Sequence, residues 1–172
     1  MMFNLTAPEP INNDHKFDDF YSGEPSLDLW LKERSLSNHV SGATRTFVIC
    51  SGNAVMGYYA LSSGSISKNE SSGRFKRNMP DDIPVILLAR LAVDERIKGI
   101  GAGRGLLKDA VSRISQAADI VGVRGIVVNA LSENARQFYE YLGFRPSPVN
   151  PMTLMITLQD IRLAMGIISR KQ

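Results

Sequence analysis

Gly99, Gly101, Gly103 and Gly105 alternate through a stretch whose natural chemistry is phosphate binding. Glycine has no Cβ, so a ligand can approach the backbone closely at these positions. The apolar run Leu88-Ala-Arg-Leu-Ala-Val93 leads into the stretch, and an amphipathic helical pattern leads out of it. A helix starting there presents unpaired N–H groups and the positive end of its dipole. Arg96, Lys98 and Arg104 add positive charge at the same place. Together these features predict a pyrophosphate seat.

Two common phosphate motifs fail. No Lys-Ser or Lys-Thr follows a glycine, as a P-loop requires. A dinucleotide fingerprint begun at Gly99 would place its third glycine on Arg104, and one begun at Gly101 would place it on Leu106. What fits is Arg96-x-x-Gly99-x-Gly101 between a strand and a helix. This resembles the acyl-CoA-binding signature Gln/Arg-x-x-Gly-x-Gly/Ala of the GNAT acetyltransferases. The plainer reading of the same local pattern is a glycine-rich turn with a solvated basic edge.

A second segment, Asn129-Ala-Leu-Ser-Glu-Asn134-Ala-Arg-Gln-Phe138-Tyr139-Glu-Tyr-Leu-Gly143-Phe144, resembles the GNAT stretch that ends in Ala-x-x-Phe-Tyr-x-x-x-Gly-Phe. The resemblance implies an α/β fold of the GNAT acyl-CoA N-acyltransferase type, with a mixed central sheet flanked by helices. It implies that the backbone of Leu91, Ala92 and Val93 pairs with the pantetheine arm of acetyl-CoA. The Val93 N–H would polarise the acetyl carbonyl, an oxyanion-type role. Arg96 would open the loop, and Lys98, Gly99, Ile100, Gly101, Ala102 and Gly103 would wrap the pyrophosphate. Asn134 would bind the pantetheine amide, with Phe138 beside the cofactor. Tyr139 would protonate the departing CoA thiolate.

A thiol near pKa 8.5 leaving against a phenol near 10 makes that transfer uphill by about 2 kcal/mol. The plainer reading of Tyr139 is packing beside Phe138. Tyr141 lies over half a helical turn away. No residue declares itself a general base: Asp94 and Glu95 read as solvated loop acids, and His15 and His39 are distant in sequence. An α-amine, titrating near 8, can attack without a dedicated base, whereas a lysine near 10.4 needs more help.

The similarity extends over most of residues 15–158. It includes Phe20-Tyr-Ser-Gly23-Glu-Pro-Ser-Leu-Asp-Leu-Trp30-Leu, Gly57-Tyr-Tyr-Ala-Leu61, Ile83-Pro-Val-Ile-Leu-Leu-Ala-Arg-Leu-Ala-Val93 and Phe144-Arg-Pro-Ser-Pro148. These stretches resemble the TacT-like toxins of bacterial toxin–antitoxin pairs. That resemblance implies acetyl transfer to the α-amine of aminoacyl-tRNA, which blocks translation. It also implies a homodimer neutralised by a ribbon-helix-helix antitoxin, with operator DNA bound only through their complex. Arg74, Lys76, Arg77 and Arg90 become the candidates to meet tRNA phosphates. Glu95-Arg-Ile-Lys98 replaces the aromatic or glutamine often found before the glycines, so contacts at the adenosine end should differ. The rivals are a GNAT acting on a protein N-terminus or small amine, and a non-catalytic acyl-CoA-binding regulator.

The elements that must position these residues follow from pattern. The chain has 172 residues, 44% hydrophobic and 22% charged, which fits one domain spanning 1–172 with a real core. Pro25 starts a helix over 26–39, and a shorter helix is expected around 15–21. Ser51-Gly52-Asn53 joins strands 44–51 and 54–62 in a hairpin. Residues 63–82 read as a long mobile loop, and 83–93 as a strand buried on both faces. Arg90 interrupts that strand, and a cation there must be paired or face a cleft. A helix over 101–121 ends at Gly122, a strand covers 124–130, and Ser132 caps a helix closed by Gly143. Residues 144–148 form an edge segment broken by prolines, 152–158 a last strand and 159–168 a last helix.

The remaining expectations concern surroundings. The single cysteine, Cys50, sits in an apolar run and reads as a buried strand residue. No metal site is expected. With no apolar run of membrane length and no leader pattern, a cytoplasmic location is expected. The net charge of +3 is a weak argument for nucleic acid by itself. The clusters at 74–77, 90–104 and Arg170-Lys171 carry more information than the sum.

Overall fold

The computed structural model of the chain describes residues 3–167; the expected tail cluster, Arg170 and Lys171, lies outside them. Seven strands form one mixed sheet in the order β1-β2-β3-β4-β5-β7-β6, with helices flanking it. β4 and β5 run parallel, while β1–β2, β2–β3, β5–β7 and β6–β7 are antiparallel. The mixed sheet matches the expected fold class. Among the described residues no helix is long and apolar enough to cross a membrane. The backbone groups into two compact units, residues 1–62 with 89–110, and residues 63–88 with 111–172.

In the first unit, β1 (Glu9–Pro10) pairs with β2 (Arg45–Ser51), and β2 forms the expected hairpin with β3 (Ala54–Ile66). Gly52, at φ +62°, makes the turn. The expected helix over 26–39 is two helices, α1 (Pro25–Glu33) and α2 (Ser35–Ser41). The break falls at Arg34, whose backbone leaves the helical region (φ −123°) and whose N–H donates to Trp30 O. The buried Ser35 hydroxyl then donates to Leu31 O. The expected helix at 15–21 is absent. Lys16 instead extends the hairpin: its N–H donates to Asn53 O at 2.8 Å, and its carbonyl accepts from Val55 N at 2.8 Å. Sheet pairing satisfies the groups that a helix would have used. Ile11, Phe20, Leu31, Val48, Cys50, Val55, Tyr58 and Ala92 form this unit's core.

The second unit corrects the reading of 63–82 as a loop. β3 runs on to Ile66, a 3-10 turn covers Lys68–Glu70, and α3 (Gly73–Lys76) follows. Phe75 anchors α3, buried with Ile66, Ile83, Val85, Val127 and Met155. β4 (Ile83–Val93) is half-buried at several positions rather than enclosed on both faces. α4 (Ala102–Ala117) buries Leu106, Leu107, Ala110, Val111 and Ile114. It stops short of the expected 121, because Asp119 and Ile120 donate only three residues back, to Gln116 O and Ala117 O, in a tighter turn. Val121, the last residue of the expected helix, is exposed in consequence.

β5 (Gly125–Asn129) leads to α5 (Glu133–Tyr141), where Ser132 Oγ accepts from Ala135 N and Gly143 follows at φ +105°. β6 (Arg145–Pro146) and β7 (Thr153–Thr157) close the sheet edge. α6 (Leu158–Ala164) is capped by Thr157 and ends short of the expected 168, because Gly166 turns the backbone out of the helix at φ +73° and its N–H donates to Leu163 O.

Candidate active site

The segment after β4 is built on a buried carboxylate. Asp94 is 1% exposed, so it is not the solvated loop acid its sequence position suggests. Its Oδ2 accepts from Tyr21 N at 3.0 Å and its Oδ1 from Arg96 N at 2.9 Å. Arg96 also donates from Nε to Oδ1 at 2.8 Å and from a terminal nitrogen to Oδ2 at 3.0 Å. Burial pushes the Asp94 carboxyl upward, but the Arg96 side chain and the Arg96 and Tyr21 amides together hold it below its ordinary range. A carboxylate so engaged is a structural anchor and a poor proton acceptor. The Asp94 and Glu95 amides donate in turn to Met56 O and Tyr21 O, both at 2.8 Å.

The loop continues through Lys98, whose ammonium donates to Ser22 O at 2.6 Å and lies 3.4 Å from Glu95 Oε1. Arg96 and Lys98 therefore spend hydrogen bonds on the protein while about half of each side chain stays exposed. Gly99 and Gly101 sit at φ +86° and +85°, a region other residues avoid, and no atom lies within 4 Å of where their Cβ would be. Gly105 N donates to Gly101 O, so α4 begins there and its first amides, at Ala102 and Gly103, lack intrahelical acceptors. An open backbone cradle under a helix start suits a diphosphate. Upstream, Ala92 is buried in the core while Leu91 and Val93 are half-buried. Every expected donor-side residue from Leu91 to Gly103 thus lies in the first unit, on one continuous run.

The second unit carries the other segment. Asn134 is exposed in the first turn of α5, and Phe138 is half-buried. Tyr139 is buried, its ring edge-on to Phe138 at 5.1 Å and to Phe144 at 5.2 Å. Burial pushes the Tyr139 phenol above its ordinary value, so it keeps its proton at neutral pH. Tyr141, 86% exposed, points away from that aromatic group.

Other chemically capable residues are committed elsewhere. The His15 imidazole accepts from Asn12 N at 3.0 Å and pairs with Glu9, and that of His39 accepts from Thr46 N at 3.0 Å. Burial lifts the Cys50 thiol to about 11, so it is no thiolate at neutral pH. The cations expected to meet RNA divide. Arg74, Lys76 and Arg77 project from α3 and its end, all exposed, although Arg74 is held by Asp160 through two bonds of 2.5 and 2.8 Å. Arg90 lies in the first unit, its guanidinium 5.2 Å from the Trp30 ring centroid.

Sequence reasoning missed three supports: Trp30, the Asp94 anchor, and Arg124, which donates to Phe75 O and Arg74 O, both at 2.8 Å. A charged residue beside a motif signalled the second; nothing local signalled the others.

The acetyltransferase (GNAT) domain family matches residues 28–155 of the chain. A tRNA-acetylating toxin of Mycobacterium tuberculosis is 48% identical over 165 residues, covering 96% of this chain and 99% of its own. A solved structure of AtaT complexed with acetyl-methionyl-tRNAfMet superposes with a TM-score of 0.85 at 30% identity, covering 93% of this chain and 98% of that one. A mutant AtaT toxin bound to the C-terminus of the antitoxin AtaR and acetyl-CoA gives 0.79 at 29% identity, covering 93% and 97%. The chain belongs to the GNAT acetyltransferases, as a homologue of the tRNA-acetylating toxins.

Proposed function

We propose that this protein is a toxin that transfers acetyl from acetyl-CoA to the α-amine of aminoacyl-tRNA and so stops translation. The observation that carries the reading is the open, left-handed Gly99–Gly101 turn at the start of α4, on a chain nearly half identical to a tRNA-acetylating toxin. The chain acts as one acetyltransferase domain, since the family match runs through both of its compact units.

Acetyl-CoA supplies the thioester. The first amides of α4 and the Gly99–Gly103 backbone hold its pyrophosphate, anchored through Asp94 and Arg96. The Leu91–Val93 backbone aligns the pantetheine arm, and Asn134 takes its amide. The unprotonated substrate amine attacks the acetyl carbon, and the Val93 N–H stabilises the oxygen as it gains charge. The C–S bond breaks as the intermediate collapses, and Tyr139 gives its phenolic proton to the CoA sulfur. The proton lost by the new amide returns to solvent, from which Tyr139 is recharged. The buried environment that raises Tyr139 would also raise a thiol leaving beside it, so the mismatch between the two stays near its solution value of about 2 kcal/mol.

An α-amine suits a site whose carboxylates and imidazoles are already engaged, because it needs no strong base. Lys76, Arg77, Arg90 and, through exchange with Asp160, Arg74 are assigned to RNA phosphates. The partners proposed are a second copy in a homodimer and a ribbon-helix-helix antitoxin, with operator DNA reached only through the antitoxin complex. The compartment is the cytoplasm, where charged tRNA is found.

The test is transfer of labelled acetyl from acetyl-CoA to a charged tRNA pool, to the same pool after deacylation, and to peptides. Label on charged tRNA alone is expected. Label on peptides or small amines alone would replace this reading with that of a different GNAT, and binding without transfer would replace it with a regulator.

A further inference from the structure

Arg90 is a half-buried cation without an anion. Among the described residues no carboxylate lies within ion-pair distance of it, and its Nε is buried with no hydrogen-bond partner. One terminal nitrogen donates at 3.0 Å to Ala89 O, the carbonyl of its own neighbour. Asp28, the buried carboxylate of α1, is engaged by Ser22, through N at 3.0 and 3.1 Å and through Oγ at 2.6 Å. What Arg90 does have is the Trp30 ring, 5.2 Å away, itself stacked on Tyr58 at 5.9 Å and 11°. Tyr58 is fixed in turn by donating to Leu27 O at 2.7 Å. The indole is thus a rigid shelf, and the guanidinium rests on it with most of its five donors uncommitted.

An arginine kept for folding is paired, because an unpaired buried donor is costly. Arg90 is instead held ready. It lies three residues before Val93 on β4, about 10 Å along the strand. In an aminoacyl ester an ester and a ribose separate the α-amine from the phosphate of the same terminal nucleotide, a comparable span. We infer that Arg90 is an anchoring residue for the acceptor end of the substrate RNA: parked on Trp30 in the free protein, it leaves the indole to grip the terminal phosphodiester. This rests on the proposed acetyl transfer to aminoacyl-tRNA. A guanidinium suits the task because its fork matches a phosphate bidentately.

Trp30 is the only tryptophan of the chain, so its emission reports the stack directly. Deacylated tRNA is expected to change that emission saturably in the wild-type protein, and the change is expected to be absent from Arg90→Gln. In steady-state assays Arg90→Gln should raise KM for charged tRNA about tenfold, equivalent to about 1.4 kcal/mol, while kcat stays within about twofold. Arg90→Lys, which keeps the charge, should recover part of the KM and restores the comparison if the glutamine variant folds poorly. Unchanged KM in both variants overturns the inference even with wild-type transfer intact. So does an emission change produced by acetyl-CoA alone, which would assign Arg90 to a cofactor phosphate. So does a tRNA-induced change that persists in Arg90→Gln. Absence of wild-type transfer to charged tRNA removes the functional reading, and this inference with it.

Discussion

Arg96 grips both oxygens of Asp94, at 2.8 and 3.0 Å, two residues back along the chain and immediately before the glycines. The motif's cation thereby acts first on the protein. It closes the carboxylate against the Tyr21 amide and fixes the direction in which the backbone leaves β4. A loop that must hold backbone N–H groups toward a diphosphate gains from being set before the ligand arrives.

Asp94→Asn should therefore cost about 1–3 kcal/mol in urea unfolding at pH 7, since charge-assisted bonds to a buried group are lost. It should also raise KM for acetyl-CoA. The pH dependence has a defined sign. A carboxyl held below its unfolded value of about 3.9 stabilises the fold fully above that value and loses this contribution as pH falls through the lower folded value. Wild-type stability should fall in that acid window, and the Asp94→Asn variant should lack the part of the fall that belongs to this group.

Tyr139→Phe should keep the aromatic packing against Phe138 and Phe144 and lose the proton. Turnover should fall about 10²–10⁴-fold, the usual scale for a general acid, with little change in unfolding temperature. Induced expression of this variant should no longer arrest growth. Because burial pushes the phenol above about 10, the wild-type kcat/KM should rise as the substrate amine loses its proton near or below about pH 8 and show no descending limb before about pH 10.

Two glycines should fail differently. At Gly101 an added Cβ meets nothing, but the residue sits at φ +85°, so Gly101→Ala should cost only about 1–2 kcal/mol while weakening acetyl-CoA binding measured by titration. At Gly125 a Cβ would lie 2.0 Å from Ile156 O and 2.9 Å from Thr157 Cα. Gly125→Ala should cost about 3 kcal/mol or more in denaturant titration, whether or not acetyl-CoA is present.

The α3 cations should show themselves in salt dependence. Lys76→Ala and Arg77→Ala are each expected to weaken tRNA binding and to flatten the plot of log affinity against log salt by about one unit. Arg74→Ala should do less, because Asp160 already competes for that guanidinium. Filter binding across a salt series checks all three.

The glycine turn, the hairpin and the start of α5 were legible because each depends on local chemistry: positive φ, a two-strand turn and a serine cap. Two positive-φ positions close together, Gly99 and Gly101, must be written in glycines, which is why that turn stands out in the sequence. What escaped depended on distant groups. Lys16 abandons its expected helix because the hairpin takes its backbone. The 63–82 stretch looks too polar to order, yet Phe75, buried to 1% exposure, ties α3 to the core, and Arg124 and Asp160 hold it from outside. Arg90 was conspicuous as a cation in an apolar strand. Its resting place on Trp30, 60 residues earlier, could not be read from either position.

Arg124 caps the last carbonyls of α3, and Phe75 roots the helix from below. A basic segment so clamped differs from a flexible cationic tail, which adapts to any polyanion it meets. The backbone that carries Lys76 and Arg77 is held in place, so under the proposed RNA-binding role an RNA whose phosphates do not match would gain little from them. The consequence is kinetic. Mismatched RNAs should be captured as quickly as matched ones and released sooner, so discrimination among nucleic acids would rest on residence time rather than on encounter.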